Sequence, residues 1–159
     1  MIESDSSIIL ESSRSIRVSL ENIHAGNAGL NNRRMAMLNR VPQIGDSATF
    51  NHEYLQLIDL AYLSAKTGHE FAILRGKDID ILFHGNSLHC EFPETLVEMM
   101  IDHKVEIIGH SHPGEDDPIP SSADRAALIK IGQKNSFVVS GRTGKMRQFG
   151  QSAFDVLDL

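Results

Sequence analysis

Residues 104–132 read Lys104-Val-Glu-Ile-Ile-Gly-His110-Ser-His112-Pro-Gly-Glu-Asp-Asp-Pro-Ile-Pro-Ser121-Ser-Ala-Asp124-Arg-Ala-Ala-Leu-Ile-Lys-Ile-Gly132. The apolar run ending at Gly109 has the length and β-branched content of a buried strand. Side chains alternate along a strand, so His110 and His112 project from one face. Pro113 cannot donate a ladder hydrogen bond, which ends the strand there. Pro118 and Pro120 keep the next loop extended. Ser121 is then placed to cap a helix over 122–132, with Asp124 in its first turn. A strand end and a helix start, both rigid, bring His110, His112 and Asp124 toward one point. Two imidazoles and a carboxylate are good ligands for a borderline metal such as zinc. Three protein ligands leave a fourth tetrahedral position for water, the catalytic arrangement rather than the closed structural one. His-x-His alone also occurs on exposed strands. With a Pro-rich loop and Ser-x-x-Asp opening a helix, the pattern is far more specific. Asp116 and Asp117 are competing carboxylates in the acidic loop 114–117.

Working outward, Tyr54, Leu57, Ile58, Ala61 and Ala65 fall on one face of a helix predicted over 52–65, opposite Glu53, Gln56 and Asp59. Asn51 is its expected cap and Gly68 its expected end. Strands follow over 70–75 and 78–83, joined tightly at Gly76-Lys77. Residues 84–92 read as a loop, and 93–103 as a helix with Pro93 at its start. A hairpin over 136–140 and 145–149 completes the pattern. This order predicts an α/β domain with a mixed central β-sheet flanked by helices. Upstream, residues 15–20 alternate as a strand does, and a short helix is expected over 33–38. The predicted organisation is an N-terminal extension over 1–48, partly ordered, a domain over 49–150 and a C-terminal tail over 151–159. His52, His69, His84, His89 and His103 read as surface or loop residues.

The chain's 159 residues suit one domain with a sizeable core. Hydrophobic residues make up 41% and charged residues 23%, a globular composition. A net charge of −6, with scattered basic residues, argues against nucleic acid as a partner. The single cysteine, Cys90, excludes an intramolecular disulfide and reads as a packed residue. No apolar stretch approaches the roughly 20 residues that span a bilayer, so no membrane association is expected.

The run His110-Ser-His112-Pro…Pro-Ser121-Ser-Ala-Asp124 resembles the signature of the JAMM (MPN+, JAB) zinc metallopeptidases. The similarity is to bacterial JAB domains, including those of polymorphic toxin systems, and covers about residues 50–150. The upstream stretch Thr67-Gly-His-Glu70-Phe-Ala-Ile-Leu matches the strand that carries the family's glutamate. The resemblance implies a JAB/MPN fold of cytidine-deaminase-like architecture, a curved sheet over one long helix. It implies zinc held by His110, His112 and Asp124, with Glu70 moving protons and Ser121 donating to the oxyanion. It further implies deubiquitinase-like hydrolysis of peptide or isopeptide bonds in a protein or peptide substrate, one with a ubiquitin-like Gly-rich tail among them. The setting implied is the cytoplasm, or a target cell reached as part of a toxin system. Glu106 and Glu115 are the next candidates for the base. A tail is expected to add as a strand along 83–88, with the acidic loop 115–117 taking a basic segment. The alternatives are a non-catalytic MPN-type binding module, whose members usually lack the ligands present here, and a RadC-like domain.

Overall fold

A computed structural model describes residues 8–11 and 32–153. The strand expected over 15–20 lies outside the described residues. The described chain is mixed α/β, with a six-stranded sheet flanked by helices. Its strands are β2 (Ser47–Asn51), β3 (Phe71–Arg75), β4 (Ile79–His84), β6 (Glu106–His112), β7 (Asn135–Ser140) and β8 (Met146–Gly150), in the order β2-β4-β3-β6-β7-β8. All neighbours are antiparallel except β6 and β7, which are parallel. A separate antiparallel pair joins β1 (Ile8–Glu11) to β5 (His89–Phe92). The helices are α1 (Asn32–Leu38), α2 (Leu57–Thr67), α3 (Glu94–His103) and α4 (Ser122–Ile131). Among the described residues, no helix is long and apolar enough to cross a membrane.

Period-two alternation in the central strands decides the layers. Phe71, Ile73 and Leu82 pack with Met37 of α1 and Leu60, Ala61 and Leu63 of α2. Ala72, Leu74, Ile81 and Phe83 pack on the opposite face with Leu10, Cys90, Phe92, Val97, Met100 and Ala127. The sheet therefore lies between α1 and α2 on one side and β1, β5, α3 and α4 on the other. Gly109 lets α2 sit close over β6: a Cβ there would stand 2.5 Å from Leu57 Cδ2, so that side chain would have to move. Between β3 and β6 the register shifts at Ile73/Leu74, where Gly109 and Ile107 are the partners and Ile108 is the extra residue.

Several sequence expectations are corrected. The helix expected from residue 52 starts at Leu57, because Phe50 and Asn51 continue β2 against Asp80 and Ile79. Its cap is Gln56, in a reciprocal box with Asp59, while Gly68 ends it at φ 76° as expected. Asp59, assigned to the polar face, is fully buried. It accepts from Arg33 Nη2 at 2.7 Å and from Arg34 Nε at 2.9 Å. Ile58, assigned to the apolar face, is exposed. The short helix over 33–38 is present, and with β2 it carries part of residues 1–48 into the core. The 84–92 loop contains β5, which pairs with β1. His84 is buried in β4 rather than at the surface, stacked on Phe71 with ring centroids 4.2 Å apart.

Candidate metal centre

The last turn of β6 and the first turn of α4 form the site. His110 pairs with Ala72 and so faces the α4 side, and His112 follows on that face two residues later. Between them Ser111 turns to the other face and accepts Phe71 N–H at 3.0 Å, a bond that ties β3 to β6. Across the loop, Ser121 caps α4. Its Oγ accepts Asp124 N–H at 3.0 Å, and Asp124 Oδ2 accepts Ser121 N–H at 2.9 Å. This reciprocal box fixes the Asp124 carboxylate at the helix entrance.

Three donor atoms converge there. His110 Nε2 lies 3.0 Å from Asp124 Oδ2, His112 Nε2 lies 3.2 Å from the same oxygen, and the two Nε2 atoms are 3.2 Å apart. All three residues are fully buried. Tetrahedral coordination with bonds of about 2.0–2.1 Å sets neighbouring donors about 3.3 Å apart. The trio matches one face of such a tetrahedron, so the residues present fit a small metal ion. His112 Nδ1 lies 3.1 Å from Glu115 Oε1. A carboxylate only accepts, so Nδ1 carries a proton, and Nε2 is the ring nitrogen turned to the site.

The local field favours positive charge. Burial opposes a charged His112, yet its bonds to Asp124 and Glu115, with the charges of Asp124 and Glu70, hold its pKa at about 10. Burial likewise works against the Asp124 carboxylate, and His110 and His112 outweigh it and hold that carboxyl far below the usual range.

Glu70 sits one residue ahead of β3 and is fully buried. Its backbone is fixed by Asn86 O, which accepts Glu70 N–H at 2.8 Å, and by Gly85 N–H, which donates to Glu70 O at 2.7 Å. Extending the Ala72↔His110 register by two residues sets Glu70 opposite His112. β3 lies between β4 and β6, so this carboxylate is not on an edge strand. Glu70 is not among the donors that converge as ligands.

The acidic loop divides. Asp116 and Asp117 are exposed and meet Arg142, Lys145 and Arg147, so they do not enter the centre. Glu115 turns inward and is buried against His112, and so is not part of an acidic mouth. Glu106 is exposed at the opposite end of β6, which removes it as a base. The 83–88 segment is not an open edge: Phe83 pairs with Ser47 on one side and Ala72 on the other, and Asn86 bonds to His89. Cys90 is buried as expected, and burial beside the charges of Glu70 and Asp124 pushes its thiol well up, away from a thiolate. The Glu115–His112 contact was missed in the sequence. The available sign was a carboxylate three residues after the second histidine, just past the Pro113-Gly114 break. Comparison of the chain with family models, curated proteins and solved structures gave no match.

Proposed function

We propose that this chain is a JAMM-type zinc metallopeptidase that hydrolyses peptide or isopeptide bonds. The observation that carries the reading is the convergence of His110 Nε2, His112 Nε2 and Asp124 Oδ2 in one buried cluster. Two imidazoles with one carboxylate suit zinc, whereas calcium and magnesium take oxygen donors. Zinc, when bound, supplies a Lewis acid and lowers the pKa of a water ligand from about 15.7 to about 7.

The chain's own residues do the rest. Glu70, at the adjoining end of β3, takes a proton from the attacking water and returns it to the leaving amine. Its burial keeps the carboxylate away from bulk solvent during that exchange. Ser121 Oγ spends a lone pair on Asp124 N–H, which leaves its own O–H to donate to the oxyanion. Capping and oxyanion stabilisation are therefore compatible in one hydroxyl. A Gly-rich tail, ubiquitin-like among others, suits a buried centre because its backbone approaches without side chains. Action in the cytoplasm, or in a target cell reached through a toxin system, belongs to the same proposal.

The test is a panel of ubiquitin chains, ubiquitin-like fusions and plain peptides incubated with the zinc-loaded protein. Cleavage is expected, lost on chelation and restored by zinc. Glu70→Gln is expected to retain zinc and lose about 10²–10⁴-fold in turnover, since the amide cannot accept the proton. Cleavage of plain peptides alone removes the isopeptidase form. No Glu70-dependent cleavage of any substrate, with zinc in place, removes the peptidase reading.

A further inference from the structure

The loop between the two halves of the metal centre is held by the β7–β8 hairpin at four consecutive residues. Ser140 Oγ donates to the Glu115 carbonyl. Thr143 Oγ1 donates to the Asp116 carbonyl at 2.8 Å, and Arg142 Nε lies 3.0 Å from the Asp116 carboxylate. Arg147 Nη2 donates to both Asp117 carboxylate oxygens at 2.9 and 3.1 Å, and Arg147 Nε to the Pro118 carbonyl at 3.1 Å. The outward carboxylates of Asp116 and Asp117 and the carbonyls of Glu115, Asp116 and Pro118 thus face hairpin partners. The one charged side chain of this loop turned inward is Glu115, 2% exposed. Its Oε1 accepts Ile119 N–H at 3.0 Å as well as facing His112 Nδ1 at 3.1 Å. The second contact orients this oxygen independently of the histidine. His110 has no such support: its Nδ1 is buried with no hydrogen bond among the described residues.

From this arrangement we infer that Glu115 is the positioning residue of the metal centre, fixing the His112 ring and its Nδ1–H tautomer so that Nε2 is presented to zinc. The inference rests on the zinc reading above. The hairpin sets the reach: it fixes the backbone of residue 115, and only a side chain of glutamate length spans from there to His112. A carboxylate at this position also raises the basicity of the ligand that it holds. Glu115 touches neither substrate nor water in this role and moves no proton.

The test measures zinc affinity with a competing chelator, without recourse to activity. Glu115→Leu keeps volume and removes the acceptor, and is expected to bind zinc about 10–100-fold more weakly. Glu115→Gln keeps length and an acceptor oxygen, and is expected to recover most of that loss. Glu115→Asp keeps charge but is too short, and is expected to resemble Glu115→Leu. Equal affinity in wild type, Glu115→Leu and Glu115→Asp overturns the inference. A wild-type protein that takes up no zinc overturns the metal reading itself, a distinguishable result. If the variants do not fold, the zinc-loaded wild type answers the question through two-bond ¹H–¹⁵N correlations of His112. A proton on Nδ1 with Nε2 metallated supports the inference, and the opposite tautomer overturns it.

Discussion

His110 Nε2 and Asp124 Oδ2 stand 3.0 Å apart although one ends a strand and the other opens a helix. That same carboxylate oxygen accepts Ser121 N–H at 2.9 Å. A helix cap and a candidate metal donor therefore share one atom, at the junction where β6 ends and α4 starts. The protein is expected to take up about one zinc per chain, in keeping with a three-ligand site. His110→Ala and Asp124→Ala are expected to fall to near zero, whereas Asp117→Ala keeps its zinc because that carboxylate faces Arg147 and Lys145. Elemental analysis reads the content directly. Thermal melts at about 1,000-fold excess over Kd add a check, since zinc then stabilises the wild type by about 4 kcal/mol and the two ligand variants by nothing.

Ser121 separates two roles through two substitutions. Ser121→Ala removes the acceptor for Asp124 N–H and is expected to cost about 0.5–2 kcal/mol of stability. It also removes the oxyanion donor, for an expected loss of about 10²–10³-fold in kcat. Ser121→Asp restores a good cap without a neutral hydroxyl donor, so stability returns and turnover does not. Turnover recovering together with stability would reduce Ser121 to a capping residue.

The first half of the chain tests the domain boundary. Met37 is fully buried in the cluster that also holds Leu60, Phe71 and Ile73. Met37→Ala is expected to cost about 2–5 kcal/mol, as for other buried large-to-small changes. Asp59→Asn weakens the bonds from Arg33, Arg34 and Gln56 N–H at once, with an expected cost of about 1.5–3 kcal/mol. Urea melts compare both with the wild type. If both variants match the wild type, α1 is an appendage rather than part of the core.

The elements legible in the sequence were those whose cause is local. Gly68 ends α2 because a left-handed residue is needed there, and the hairpin around Gly76 reads from turn chemistry alone. The convergence of His110, His112 and Asp124 was legible for the same reason: two alternating histidines and an N3 aspartate obey strand and helix periodicities with no distant information. What failed depended on partners far along the chain. Asp59 looks solvated on a helical wheel until Arg33 and Arg34, 26 and 25 residues away, are known to reach it. Residues 89–92 alternate polar and apolar over only four positions, too short a run to read as a strand until Ile8–Glu11 is known to pair with them. Glu115, Asp116 and Asp117 are adjacent carboxylates, and only the position of Arg142, Lys145 and Arg147 across the hairpin decides which one turns inward.

His84 gives a pH dependence whose sign follows from its bonds. Its Nδ1 lies 2.7 Å from the Pro42 carbonyl, which only accepts, so Nδ1 carries the proton. Its Nε2 lies 2.8 Å from His69 Nδ1 and is the acceptor of that pair. A second proton on His84 would reverse the direction of its bond with His69 and charge a buried ring stacked on Phe71. Burial lowers its pKa, and the Pro42 carbonyl offsets this only in part. The folded protein therefore binds fewer protons at this site than the unfolded chain, whose histidine titrates near about 6.5. The stability due to His84 is present in full above that value and is lost as pH falls toward the lower folded value. His84→Gln is expected to be less stable than the wild type by about 1–3 kcal/mol at pH 8, through unsatisfied partners. The gap should narrow steadily as the pH falls from about 7.5 to about 5.5, because only the wild type carries the cost of keeping this ring neutral. Urea midpoints of the two proteins at matched pH measure the difference, in which contributions common to both cancel. A gap that stays constant or widens on acidification would show that His84 is not held neutral in the fold.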